Sequence, residues 1–474
     1  MIAFTLAEVA QAVGGSMHDI PDPRVPVTGP VVIDSRQVRP GALFAAFRGE
    51  RVDGHDFAEP ALAAGAVAVL AARPIAGPSI IVDDVQAALG ALARAVIERL
   101  GASVVALTGS AGKTSTKDLI AQLLAKIGPT VWPPGSFNNE IGLPLTALRA
   151  DEETRHLVLE MGARGIGHIN YLTGLTPPRI GVVLNVGTAH IGEFGGREQI
   201  AQAKGELVEA LPPAAEGGVA VLNADDPLVR AMAARTKART VLFGEAEDAE
   251  VRAENVRLDE SGRPVFTLRT PTGCAQVTLR LYGEHHVSNA LAAAAVAGEL
   301  GMPTSQIASA LSEAGTLSRW RMEVVERPDG VTVVNDAYNA NPDSMRAALR
   351  ALAAMGEAAR ARGGRTWAVL GEMAELGGES LAEHDAVGRL AVRLNVSKLV
   401  AVGGQAAAWL DMGAKNEGSW GEESVHVSDA ETAIDLLRSE VRPGDVVLVK
   451  ASRSIGLERI ALALLDGAEG GGAE

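Results

Sequence analysis

Cysteine is nearly missing. Cys274 is the sole cysteine in 474 residues, which rules out an intrachain disulfide framework and a cysteine zinc cluster. Aromatic residues reach only 3%, so the core has to be filled by Ala, Val, Leu and Ile. No run of about 18 apolar residues occurs, and no membrane span is expected. The N-terminus lacks a charged segment followed by an apolar one, so no signal peptide is expected and the cytoplasm is the expected compartment. Positive charge is also short: the formal net charge is −15, which argues against nucleic acid as the main partner. Anionic small substrates stay compatible, because a pocket can be locally positive. Lysine is the scarcer cation, 8 of the 43 cationic side chains.

What the chain does have is an ordinary globular balance, 47% hydrophobic and 21% charged, which excludes a mainly disordered or fibrous chain. Its length corresponds to roughly three domains of about 150 residues. Residues 1–100 carry short apolar runs, VVIDS (31–35), ALFAAF (42–47), AVAVLAA (66–72) and SIIVDD (79–84), then a helical stretch over 86–99. Residues 101–317 begin with SVVALTG (103–109), and HLVLEMG (156–162), IGVVLNVG (180–187) and VAVLNADDP (219–227) follow, with helical patterns between several of them. Such alternation means βαβ units and a largely parallel sheet. Over 249–281 the turn signals ESGRP and PTG predict antiparallel hairpins, and VSNALAAAAVAGEL (287–300) reads as helix. Residues 318–474 repeat the alternation through VTVVND (331–336), TWAVLG (366–371), KLVAVGG (398–404) and DVVLVK (445–450), a second nucleotide-fold-like α/β unit. The tail GAEGGGAE (467–474) reads as disordered.

The strongest local signal is TGSAGKTST (108–116), entered from an apolar run and followed by a helical pattern over 115–127. That context suits a phosphate-binding loop. Gly109 and Gly112 let the backbone approach phosphates, and backbone N–H groups with the helix N-terminus supply partial positive charge. Lys113 would reach the outer phosphates and the Thr114 hydroxyl would meet Mg²⁺. The usual pattern has a glycine where this chain has Leu107, and a Gly-Ser turn capping a helix is the competing reading. A phosphate loop alone does not separate a switch, a motor, a kinase and a ligase.

Other segments narrow the choice. DSRQVRPGALFAAFRGERVDGHDF (34–57), SFNNEIGLPLTAL (136–148), EMGARGIGHI (160–169), NVGTAHIGEFG (185–195) and AKGEL (203–207) occur in that order. GEHHVSNALAAAA (283–295), RWRMEV (319–324), NDAYNANPDSM (335–345), LGEMAELG (370–377) and VKASRS (449–454) complete the series. With TGSAGKTS, a shorter form of the phosphate loop, the series resembles the Mur ligase family over nearly the whole chain. DAYNANPDSM resembles the branch that adds D-alanyl-D-alanine to a UDP-linked muramoyl tripeptide.

The resemblance implies three α/β domains: a UDP-substrate domain, a central ATP-binding domain with a mainly parallel sheet plus a small antiparallel part, and a C-terminal Rossmann-like domain. It implies an ATP-dependent amide ligase that joins D-Ala-D-Ala to UDP-N-acetylmuramoyl-tripeptide through an acyl phosphate, as a monomer. ATP would be held by Thr108, Gly109, Ser110, Ala111, Gly112, Lys113, Thr114 and Ser115, with Asn289 near the adenine, Arg321 on the phosphates and Asp336 on the ribose. Thr114, Glu160, His190 and Lys204 would serve the metal, Lys204 after carbamylation by CO₂, which needs a lowered amine pKa. Lys113, Lys204 and His190 would be the catalytic set. Ser35, Arg36 and the turn 54–57 would meet the uridine diphosphate, and Asn138 and Asn139 the muramoyl or peptide part. Arg164 would pair with a substrate carboxylate. Asn339, Asn341 and Ser344 would place D-Ala-D-Ala, with Lys450, Ser452 and Arg453 at a neighbouring ligand edge. Each residue also has a plain structural reading; Asn289 could cap a helix and Arg321 could pair with Glu323. Competing functions are the tripeptide-forming ligase, folylpolyglutamate synthase and a non-catalytic nucleotide-binding regulator.

Overall fold

A computed structural model describes residues 1–49, 52–187, 191–418 and 421–466. The expected α/β class holds. Besides a two-stranded antiparallel pair, Phe4–Thr5 with Pro26–Val27, three larger sheets follow one another along the chain, each mostly parallel and each mixed at an edge. The first has five strands in the order Ser16–His18, Ser79–Ile81, Ala68–Ala71, Leu43–Ala45 and Val31–Val32. Helix Val85–Leu100, capped by the Asp84 carboxylate, leads out of it. Its apolar face joins a core shared with Leu143, Leu148, Ile169 and Leu172 of the next unit. A Cβ at Gly90 would meet Leu175 at 2.6 Å, so the glycine permits the close approach.

The central sheet has nine strands. Thr130–Val131, His156–Glu160, Ser103–Thr108, Ile180–Val183, Val219–Asn223, Arg239–Gly244 and Val251–Leu258 run parallel, and Pro264–Thr270 and Gly273–Thr278 add antiparallel hairpins. The expected change of texture over 249–281 is this antiparallel edge. Strand Arg239–Gly244 was not anticipated. Helix His286–Glu299 is buried over nearly its whole surface. Its alanine run lets it seat closely against the sheet and helix Lys113–Leu124, filling space that an aromatic-rich chain would fill with rings.

The third sheet has six strands in the order Glu323–Glu326, Thr332–Asn335, Val446–Lys450, Thr366–Gly371, Lys398–Val402 and Ser424–Val427; only the first pairing is antiparallel. Parallel register sets Asn335 beside Val449, so Asp336 and Lys450 emerge side by side at the carboxyl edge, where open α/β sheets bind ligands.

Candidate active site

A cavity of about 740 Å³ lies where the loop at residues 109–115 faces the carboxyl edge of the third sheet. The loop owes its shape to its own sequence. Gly112 is left-handed at φ +79°, and a Cβ there would meet Asn289 Oδ1 at 2.6 Å, so only glycine fits. Asn185 Oδ1 accepts from Ser110 N and Ala111 N, both at 2.9 Å, while its Nδ2 donates to Ala111 O. This residue was missed, although it directly follows an apolar strand in a motif segment. Lys113 Nζ donates to Gly109 O at 2.8 Å; burial holds its amine below the ordinary lysine range, with Glu160 opposing that shift.

Beside the loop, Thr114 Oγ1 donates to Glu160 Oε2 at 2.8 Å, and Asn138 Nδ2 donates to Glu160 Oε1 at 2.8 Å. Glu160 is 1% exposed, and among the described residues it has no ion-pair partner. Lys204, on helix Arg197–Glu209, lines the same cavity. Burial, reinforced by the charge of Lys113, holds its amine well below the ordinary lysine range. His190 lies outside the described residues, as does the 467–474 tail. Among the described residues, no group of three or more His, Cys, Asp or Glu side chains could hold a metal.

The far wall comes from helix His286–Glu299 and the third sheet. Asn289 Nδ2 lies 3.3 Å from His286 Nδ1, and His286 Nε2 is buried without a hydrogen-bond partner among the described residues. Burial holds the His285 imidazole down to about 4. Arg321 NH2 reaches Thr114 Oγ1 at 3.3 Å. Glu323, the alternative partner for Arg321, instead accepts from the Trp320 backbone N–H. Trp320 and Met322 both have positive φ, +59° and +48°, a backbone that favours glycine. Asn341 Nδ2 donates to Ser110 O at 3.3 Å, so the third sheet's edge touches the phosphate loop directly.

Several residues expected to meet ligands also make bonds within the protein. Thr108 is fully buried, and its hydroxyl donates to Met161 O at 2.9 Å; its side chain ties two strands together and does not line the cavity. Asn341 and Ser344 form a capping box at the start of helix Pro342–Ala361. Asn139 Oδ1 accepts from Gly142 N at 2.8 Å. Lys450 is enclosed: Nζ lies 2.6 Å from Asp336 Oδ2 and 2.8 Å from Asn339 O. Asp336 Oδ1 accepts from Met322 N, so both carboxylate oxygens are engaged. Ser452 Oγ accepts from Ala374 N and donates to Ala340 O. Arg453 pairs with Glu458 at 2.8 Å. Except for Thr108, all of these expected residues line the cavity, as do Asn339, Arg164 and Ser115; Arg164 is exposed, its backbone N–H directed at His168 Nδ1.

The structure does not bring Ser35 and Arg36 to this cavity. Arg36 is exposed and forms a paired contact with the Asp34 carboxylate. In the 54–57 turn the buried His55 ring uses both nitrogens, Nδ1 toward Asp53 at 2.6 Å and Nε2 accepting from Ala72 N. It builds the turn. Lys117 was also missed: it is fully buried one turn beyond Lys113, just past the end of the motif.

Known proteins with this arrangement are similar along the whole chain. Three family models match in succession: Mur ligase family, catalytic domain, over residues 30–98; Mur ligase middle domain over 107–297; and Mur ligase, glutamate ligase domain, over 320–453. The UDP-N-acetylmuramoyl-tripeptide--D-alanyl-D-alanine ligase of Mycobacterium tuberculosis (strain ATCC 25618 / H37Rv) is 51% identical over 98% of each chain. The enzyme of that name from Escherichia coli (strain K12) is 36% identical over 98% of this chain and 99% of its own. Among solved structures, MurF from Acinetobacter baumannii superposes with a TM-score of 0.87 at 32% identity, covering 98% of this chain and 99% of that one. MurF ligase from Thermotoga maritima in complex with ADP gives 0.80 at 31% identity, covering 94% and 98%. By sequence and by fold, the chain belongs to the Mur ligase family.

Proposed function

We propose that this protein is an ATP-dependent ligase that joins D-Ala-D-Ala to UDP-N-acetylmuramoyl-tripeptide, giving the UDP-linked pentapeptide, ADP and phosphate. The observation that carries the reading is the cavity shared by the phosphate loop and the third sheet's edge, with Lys113, Thr114 and Glu160 facing Arg321 across it. The identity to the tripeptide–D-Ala-D-Ala ligases over the whole chain supports the substrate pair. The regulator reading is disfavoured, because Lys113, Thr114, Glu160 and Lys204 are all present and gathered.

In this reading the loop N–H groups cradle the phosphates, and Lys113 turns from Gly109 O toward the γ-phosphate. The tripeptide carboxylate attacks the γ-phosphorus, ADP leaves, and an acyl phosphate remains. The dipeptide amine then attacks the acyl carbon and phosphate leaves. Arg321 offsets the charge that gathers on the transferred group. Neutral His286 and Asn289 lie where a nucleobase would meet them beyond Gly112. Closure of the third sheet's edge over the loop would keep water from the acyl phosphate.

The donor set suits Mg²⁺: Glu160 is a buried carboxylate with hydroxyl and amide partners but no cation partner among the described residues. Thr114, Glu160 and a carbamylated Lys204 would hold it, with His190 proposed for a second ion. Bound Mg²⁺ supplies charge neutralisation for the phosphates. The lowered pKa of the Lys204 amine favours the neutral form, whose lone pair attacks the carbon of CO₂. The reading carries three domains divided near residues 100 and 317, with the UDP end bound by the first through Ser35 and Arg36. It also carries a monomeric, cytoplasmic enzyme; no helix among the described residues is long and apolar enough to cross a membrane.

The test is phosphate release with each UDP-muramoyl tripeptide, with and without D-Ala-D-Ala. Release that requires both substrates is expected. Release on ATP alone, or with glutamate and a folate in place of the pair, would overturn the reading.

A further inference from the structure

A guanidinium that must meet a phosphate has to be held in place without being neutralised. A carboxylate would fix it but cancel its charge. Arg321 has no carboxylate partner among the described residues, and its Nε is buried without a hydrogen-bond acceptor. What lies against it is the ring of Tyr338, whose centroid is 4.2 Å from the Arg321 Cζ. The Tyr338 hydroxyl is 2.8 Å from Ser136 Oγ, two residues before Asn138, and the Tyr338 backbone N–H donates to Trp320 O. Arg453 offers an internal contrast. It stacks on Trp320 at 4.3 Å and lies farther from the Tyr338 ring, at 5.9 Å, but its charge is paired with Glu458.

We propose that Tyr338 is a positioning residue for Arg321. Its ring holds the guanidinium against Thr114 with the charge left free, and its hydroxyl ties that stack to the loop carrying Asn138. The inference rests on the ATP-ligase reading above. It deepens that reading by naming what aims the phosphate-side cation, a role that an aromatic face fills without competing with the ligand.

A double-mutant cycle tests it. Tyr338→Leu, Tyr338→Phe, Arg321→Met and Tyr338→Leu/Arg321→Met are compared by kcat/KM for ATP at saturating tripeptide and dipeptide, and by calorimetric binding of a non-hydrolysable ATP analogue. Tyr338→Leu is expected to lower kcat/KM about thirtyfold and Tyr338→Phe by less than about threefold. In the Arg321→Met background, Tyr338→Leu should add less than about threefold. An equal loss in both backgrounds, or a phenylalanine variant as impaired as the leucine one, would overturn the proposal. If Tyr338→Leu does not fold, judged by melting without ligand, Tyr338→Gln takes its place in the cycle. A wild-type protein without substrate-dependent turnover would instead sink the ligase reading, and analogue binding would still decide the coupling.

Discussion

Replacing Lys117 with methionine tests how the site is anchored. The ammonium is fully buried in helix Lys113–Leu124. It donates to Pro133 O and Gly135 O, both at 2.9 Å, and lies 2.8 Å from Asp118 Oδ1 and 3.4 Å from Ser318 Oγ. Asp118 Oδ2 accepts from Ser318 N at 3.0 Å, and Gln122 exchanges two hydrogen bonds with Gly315. One helix face therefore holds both the loop leading to Asn138 and the connection to Arg321. Methionine nearly matches the lysine stem in volume, so the packing cost is small. The loss is electrostatic. Asp118 becomes a buried carboxylate without its cation, which costs about 3–5 kcal/mol.

The second variant separates charge from packing. Lys117→Met/Asp118→Asn removes the stranded charge, and the asparagine oxygen can still accept from Ser318 N. Most of the loss, about 2–3 kcal/mol, should return. Three successive sheets need not unfold in one step. The assay is therefore native-state hydrogen exchange of amides in strands Ser103–Thr108 and His156–Glu160, read as opening free energies. A single variant that loses less than about 1 kcal/mol, or a double variant no better than the single, refutes the reasoning.

Two other outcomes follow from the geometry. Lys204 is held well below the 10.5 of a free lysine by burial and by Lys113. From that lowered value up to about pH 10.5 the unfolded chain binds the extra proton, so this group's contribution to stability rises with pH. In CO₂-free buffer the advantage of Lys204→Met over wild type should shrink by about 1.4 kcal/mol per pH unit across that window; parallel stability curves would count against a neutral buried amine. Asn341 caps its helix and reaches Ser110 O. Asn341→Ala should cost about 1 kcal/mol and raise KM for ATP, whereas Asn341→Ser should keep the cap and raise KM alone. A serine variant with unchanged KM would show that the bridge to the loop carries no function.

The fold was legible where apolar runs were uniform and ended in glycine or aspartate, as in the strands before Gly109 and Gly371. Glu323–Glu326 and Ser424–Val427 escaped because short edge strands with polar ends carry little periodic signal. In the site, the phosphate loop was legible because its strand, glycines, lysine and helix are contiguous. The Lys450–Asp336 pair was not, since its partners are separated by 114 residues and meet only through parallel register. The Asn-Pro-Asp-Ser run also carries a local signal, a cap with proline in the first turn, and the capping residues Asn341 and Ser344 line the cavity as well. Two of the scarce lysines share a physical role. Lys117 and Lys450 are 0% and 2% exposed in their side chains, each surrounded by backbone carbonyls and one carboxylate. A compact ammonium with three donors can be closed in by such a shell. A planar guanidinium, with five donors spread over a wider fork, could not be satisfied in the same space. In a chain that uses arginine for most of its cations, Lys126, Lys237 and Lys415 stay at the surface, whereas Lys117 and Lys450 stand where the charge is enclosed, and Lys204 sits where burial and the charge of Lys113 hold its amine well below the ordinary lysine range.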